Sequence, residues 1–285
     1  MEDWRHGSGA GEAEVWSRAL SESLRSAPLF AQGLPEAAVW DRRALPVSGN
    51  RRCFDFEQKL GHLYEDVLED LLRASDQLVA SHVQVFDTDG KTLGEIDFLL
   101  FDTERKCHVH LELAVKFYLA YQGKGGWQFP GPNARDSWQR KLARLRQHQL
   151  RLAGLPTTRD LLRKRFGVDH LEVRQLVYGR LFAPMTESDP PLPDSVSPGV
   201  LRGRWLYRQQ WTDFFAEDPE LRLVPKPLWP LEWTTERIER LPRITTDELQ
   251  ERAGDRCTMF MAGESRHPFF IVPDGWPGSE KARAG

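Results

Sequence analysis

The residue pattern predicts a mixed α/β core built in the order helix, three strands, helix, strand. Three observations predict it. Phe56, Leu60, Leu63, Tyr64, Val67, Leu68, Leu71 and Leu72 recur at steps of three and four, which lays one apolar stripe along a helix. From Cys107 to Phe117 polar and apolar residues alternate, the period of a strand with two different faces. After a second amphipathic stretch, Val173 to Phe182 returns to a strand-like run. A helical crossover between strands of one sheet sets that last strand parallel to the third.

Taken in order, residues 1 to about 12 are rich in Gly and Glu and are expected to lack order. Glu14 to Leu34 places Val15, Leu20 and Leu24 at helical spacing, a helical preface ending near Pro35, so that 1–50 form an appendage to the core. The core itself is expected over 51–185. Behind its first helix, Leu78 to Phe86 reads as a strand, Asp87-Thr88-Asp89-Gly90-Lys91 as a turn, and Gly94 to Phe101 as the partner strand of a hairpin. In the third strand Val109, Leu111, Leu113, Val115 and Phe117 share one face, and His108, His110, Glu112, Ala114 and Lys116 the other. Tyr121 to Asn133, rich in Gly and Pro, reads as a loop, and Trp138, Leu142, Leu145, Gln149 and Leu152 as the stripe of the second helix. Five prolines from Pro184 to Pro198 mark a linker. Residues 186–285, with Trp205, Trp211, Trp229, Trp233 and Trp276, read as a small C-terminal accessory unit whose indoles serve either as core or as a stacking surface.

Composition narrows the function classes. The chain has 285 residues, 40% hydrophobic and 28% charged, with a net charge of -3, the profile of an ordinary globular protein. Any charged ligand must therefore be met by a local patch. Three cysteines, Cys53, Cys107 and Cys257, none in a Cys-x-x-Cys pair, argue against a disulfide framework and a thiolate zinc site. The opening Met-Glu-Asp-Trp-Arg-His-Gly-Ser-Gly has no apolar signal core, and no apolar run reaches the ~20 residues that span a bilayer. A cytoplasmic location is expected. No phosphate-binding Gly-x-x-x-x-Gly-Lys-Ser/Thr loop and no Gly-x-Ser-x-Gly elbow is present, which leaves nucleotide hydrolase and serine esterase readings without a foothold.

The chemistry-bearing residues collect on two strands and a helix. Glu112 and Lys116 lie on the polar face of the third strand, and the strand before it sets Glu95 and Asp97 on one of its own faces. Two carboxylates near an ammonium suit a hard divalent cation and a metal-bound water. The same residues are compatible with a solvated sheet face carrying a weak ion pair. Glu65 stands one turn beyond Gly61 at the rim of the first helix's stripe. His108 and His110 share the face of Glu112, but a spacing of two along a strand holds their imidazoles too far apart to bind one ion jointly. Between Arg135 and Arg165 ten basic residues stand against two acids, an electrostatic footprint suited to phosphate. Lys141 and Arg144 are the members placed to reach it, and Gln149 sits inside the apolar stripe, where a polar group needs a partner.

These segments resemble a known superfamily. Leu60-Gly61-His62-Leu63-Tyr64-Glu65, Gly94-Glu95-Ile96-Asp97-Phe98-Leu99-Leu100, and His110-Leu111-Glu112-Leu113-Ala114-Val115-Lys116-Phe117-Tyr118-Leu119 are similar to the PD-(D/E)XK nucleases. More narrowly they resemble a bacterial domain-of-unknown-function family, number eighteen fifty-three, as do Gly131-Pro132-Asn133-Ala134, His148-Gln149-Leu150 and Val272-Pro273-Asp274-Gly275-Trp276-Pro277. The resemblance implies a restriction-endonuclease-like mixed sheet over about 55–182. It implies hydrolysis of phosphodiester bonds in DNA or RNA, with Asp97 and Glu112 on Mg²⁺ (or Mn²⁺), Lys116 serving the water, and Glu65 completing the acidic cluster. It also suggests a role near the site for Gln149. The chain departs from the common pattern at one point: the acid usually stands two residues before the lysine, and that position is Ala114, with Glu112 four before. A nuclease fold without catalysis, binding nucleic acid or a protein partner, is the alternative this departure leaves open.

Overall fold

The computed structural model describes residues 9–51, 53–193, 195–215 and 219–278. The chain is a mixed α/β protein with a large mixed sheet flanked by helices, and it divides into two compact units, neither of them one continuous stretch. The first unit takes 10–115 and 142–178; the second takes Gly9, 116–141 and the described residues from 179 to 278.

The first unit opens at Ala10 in helix α1, Gly9–Ser26, followed by the short strand β1, Ala38–Val39. The expected disorder of residues 1 to about 12 falls for 1–8 outside the described residues, while from Gly9 the chain is already helical. Trp16, Leu20 and Leu24 of α1 are buried. Helix α2, Leu60–Ala74, buries Leu63, Tyr64, Val67, Leu68, Leu71 and Leu72, the stripe that its spacing predicts. It stops at Ser75, whose hydroxyl donates to Leu72 O at 2.9 Å, and Asp76 follows at φ 55. Strands β2, Leu78–Phe86, and β3, Thr92–Asp102, pair antiparallel. Asp87 makes their turn: its Oδ1 accepts from the amides of Asp89 and Lys91 at 2.9 and 2.8 Å, and Gly90 supplies a positive φ. Asp102 caps the next turn in the same way, into strand β4, Cys107–Leu119, again antiparallel.

Three expectations need correction. Tyr121–Asn133 is not simply a loop, because β5, Tyr121–Gly123, and β6, Gly126–Gln128, form a small hairpin at its start. The second helix is not continuous through Leu152. Helix α3 covers Trp138–Gln147, a 3-10 turn follows at Gln149–Gly154, and a further helix α4 runs over Pro156–Phe166. Pro156 enters that helix at a position whose N–H would have no helical acceptor, and Gly167 at φ 68 ends it with its N–H on Arg163 O. Leu152 and Leu162 pack with Val83, Val85, Ile96, Leu99 and Val168. Gln149 and Leu152 of the expected stripe thus belong to the turn that follows α3.

The third correction concerns the strand expected from Val173 to Phe182, which is longer at both ends. Strand β7, Leu171–Pro184, runs beside β4 and continues to Pro184, and β8, Leu201–Tyr207, pairs with its end in parallel. Within the second unit the order after β8 runs through β11, Phe269–Val272, β10, Thr258–Ala262, and β9, Leu221–Leu223. Helix α5, Trp211–Phe214, and helix α6, Thr235–Glu239, lie in its connections. Helix α7, Thr246–Asp255, begins in a capping box between Thr245 and Glu248 and buries Leu249 and Ala253 against Trp211, Phe260 and Ile271. All five C-terminal tryptophans named above are buried, so they serve as core.

Close approach of backbone requires a glycine at position 179. Gly179 of β7 has φ 145, and a Cβ there would stand 1.6 Å from Lys116 O. Gly179→Ala should lower stability by roughly 3 kcal/mol or more, measured as a shift of the urea midpoint. Gly263→Ala, at φ 55 with open space around it, should cost only the backbone term of about 1 kcal/mol. Equal costs would show that the close approach at Gly179 does not matter.

Candidate functional site

Strands β3 and β4 pair from Asp102↔Cys107 to Phe98↔Leu111. The next step of that register sets Asp97 across from Glu112. At this step the amide of Leu113 donates to Asp97 Oδ2 at 2.9 Å, a side chain standing where a backbone acceptor would serve in a ladder. On the other side of β3, the pairs Ser81↔Phe98 and Val83↔Ile96 set His82 across from Asp97. His82 sits at φ 51, an uncommon conformation for a non-glycine residue in mid-strand.

Both carboxylates are buried. Asp97 is 9% exposed and Glu112 2%. Glu112 accepts from Gln149 Nε2 at 2.8 Å on Oε2 and from His110 Nε2 at 3.1 Å on Oε1. Burial pushes the carboxyl of Asp97 up from 3.8 to about 8, and the charges of Glu112 and then Glu65 push the same way, against the bond from Leu113. His110 is fully buried, which pushes its imidazole down to about 4. It therefore meets Glu112 as a neutral hydrogen-bond donor rather than as a cation. That places the proton on Nε2, and Nδ1 has no hydrogen-bond partner among the described residues.

Around the pair lies an acidic rim. Glu65 of α2 bonds His62 Nδ1 at 3.1 Å, and its charge acts on both Asp97 and His82. His82 Nδ1 is 3.2 Å from Glu95, its Nε2 is 3.9 Å from Glu69, and Glu69 accepts from Ser81 at 3.0 Å. Burial opposes protonation of His82, but the bond to Glu95 and the charges of Glu95, Glu65 and Glu69 outweigh it and raise its pKa. Sequence reasoning missed His82 and Glu69. Glu69 stands one helical turn beyond Glu65, a spacing that could have found it; the backbone of His82 carried no signal.

The structure brings Asp97, Glu112, Gln149 and His110 together, with Glu65 within electrostatic reach. The polar face of β4 is not a solvated one, since it is closed over His110 and Glu112. Gln149 acts from the 3-10 turn rather than from α3. Lys116 falls in the second unit, where its Nζ pairs with Asp136 Oδ2 at 3.2 Å. Arg144 is exposed on α3, one turn after the half-buried Lys141. His108 packs tilted against Phe101, ring centroids 5.1 Å apart, and takes no part. Among the described residues no group of three or more His, Cys, Asp or Glu is gathered closely enough to hold a metal ion. A hard cation such as Mg²⁺ needs only one or two carboxylates and completes its shell with water and phosphate. A buried pair whose strongest electrostatic neighbours are of its own sign fits that demand.

These features define a mixed α/β protein with a buried carboxylate pair between adjacent strands. The family model described as Domain of unknown function (DUF1853) matches residues 26–261, and the chain belongs to that family. No curated protein and no solved structure matches it. No helix among the described residues is long and apolar enough to cross a membrane.

The raised pKa of Asp97 has a signed consequence. Its folded value lies above its unfolded one, so the stability it contributes is full below about pH 4 and is lost as pH rises toward 8. Thermal unfolding without divalent cations should show Asp97→Asn gaining on wild type across that range, by roughly 2 kcal/mol or more at pH 8. Parallel curves for the two proteins would show that Asp97 titrates normally.

Proposed function

We propose that this protein is a metal-dependent phosphodiesterase acting on nucleic acid, with Asp97 and Glu112 holding Mg²⁺ (or Mn²⁺). The observation that carries the reading is the facing, buried position of these two carboxylates, with Asp97 pushed up to about 8. Bound there, the cation supplies charge at the phosphate and lowers the pKa of its water. Gln149 and His110 fix the orientation of Glu112 through one bond to each oxygen, the outer support that such ligands need. The Leu113 amide does the same for Asp97. Glu65 adds negative potential that favours cation entry. Lys116, four residues beyond Glu112, is the group proposed to orient and assist the attacking water, as the nuclease resemblance implies.

The partner reading rests on the surface of the first unit. Arg146 is tied to Glu36 at 2.7 Å and Arg163 to Asp169 at 2.7 Å, which removes both from phosphate binding. Arg144, Arg159, Lys164 and Arg165 are exposed and have no ion pair among the described residues. A second reading, a fold that binds nucleic acid without cutting it, is favoured by Ala114 at the position two before Lys116.

Asp97→Ala should abolish Mg²⁺-dependent hydrolysis while the fold persists, and Lys116→Met should lower turnover more than metal affinity. Cleavage by Asp97→Ala at the wild-type rate would remove the site assignment. Binding without cleavage by wild type would select the second reading. For the surface, log affinity for a random duplex should fall with log salt at about -0.9 per phosphate neutralised. If Arg144 and Lys141 each neutralise a phosphate, Arg144→Ala or Lys141→Ala should flatten the slope by about one unit, read by fluorescence anisotropy. An unchanged slope in both variants would take α3 out of the interface.

A further inference from the structure

We propose that Asp136 is the positioning residue for Lys116, an inference whose catalytic consequence rests on the reading of Lys116 given above. Asp136 is fixed at both backbone groups. Its N–H donates to Asn133 O and its carbonyl accepts from Gly131 N, each at 3.0 Å. The loop carrying it is closed by Trp138 N on Phe129 O at 3.0 Å, and is tied to β4 by Leu119 N on Pro130 O at 2.8 Å. The carboxylate therefore enters at a set place rather than from a free loop.

Lys116 and Tyr118 alternate along β4 and so present their side chains to the same side. Asp136 meets the first of them: its Oδ2 lies 3.2 Å from Lys116 Nζ. Burial first, and the Asp136 charge second, hold the Tyr118 phenol well above its ordinary range. Tyr118 is buried with its ring 5.8 Å from Trp138, whose Nε1 donates to Ser195 Oγ at 3.0 Å. Asp136 thus enters from a loop closed by its own backbone bonds, beside a packed Tyr118–Trp138 pair, and ends on one half-exposed ammonium.

Such a pair adds little to stability, because Lys116 and Asp136 are 30% and 39% exposed and solvent screens them. Its effect is on freedom: a lysine head group with four rotatable bonds is confined to one direction. A catalytic ammonium benefits from that confinement, since misplacement by 1 Å can cost about 10²-fold in rate.

The test uses the full chain and reads Lys116 directly. Acetylation of each lysine by acetic anhydride is followed by mass spectrometry, with exposed Lys124 as the internal reference. Asp136→Asn should raise the labelling rate of Lys116 several-fold and leave Lys124 unchanged, and Asp136→Glu should restore protection. Should Asp136→Asn unfold, Asp136→Ser is labelled in its place. Wild-type labelling of Lys116 in whichever of the two folds overturns the proposal. In a cleavage assay Asp136→Asn should lower kcat by about 10²-fold with KM and Mg²⁺ affinity held. If wild type cuts nothing, the function proposed above falls with the catalytic consequence, while the labelling result still decides whether Asp136 positions Lys116.

Discussion

Two carboxylates that repel each other stand together in the interior of the first unit, and the surrounding structure is arranged around that cost. Moving Asp97 from 3.8 to about 8 represents on the order of 5 kcal/mol against its ionised form. A fold selected for stability alone would place apolar residues there. Instead the amide of Leu113 supports Asp97, and Gln149 and His110 support Glu112. Each support satisfies a carboxylate oxygen without neutralising its charge. His110 shows this most clearly, because burial keeps it neutral.

The scaffold of the pair is made from local rules. Asp87 and Asp102 close the two turns that set β2, β3 and β4 in register, and that register determines which residues meet: His82, Asp97 and Glu112 fall in one row across three strands. The positive φ of His82 lies in this row. Backbone strain of this kind persists where neighbouring structure over-determines it, here through the bond to Glu95, the nearby Glu69 and the ring of Phe98. The acidic rim and the carboxylate pair thus belong to one electrostatic neighbourhood.

Charge on the helical side is distributed by use. Arg146 and Arg163 are consumed in structural ion pairs, whereas Arg144, Arg159, Lys164 and Arg165 remain available to solvent. A count of basic residues along the sequence therefore overstates the surface that phosphate can meet. The exposed set is what long-range steering would act through.

The amino-acid sequence by itself determined α2, the β2–β3 hairpin and β4, because each has a period that only one local geometry satisfies. It also singled out Asp97, Glu112 and Gln149 by chemistry and position. It did not reveal that one apolar stripe spans α3 and the 3-10 turn, since helical periodicity does not register a short break in the hydrogen-bond pattern. Nor did it reveal the β5–β6 hairpin inside a stretch of Gly and Pro, or that β7 starts at Leu171 and runs to Pro184. Tertiary structure alone decided that Asp97 faces Glu112, that Glu112 is held by His110 and Gln149, and that Lys116 meets Asp136. Those pairings depend on strand register and on loop closure between residues distant in sequence, and a one-residue slip of register would send every side chain of a strand to its other face.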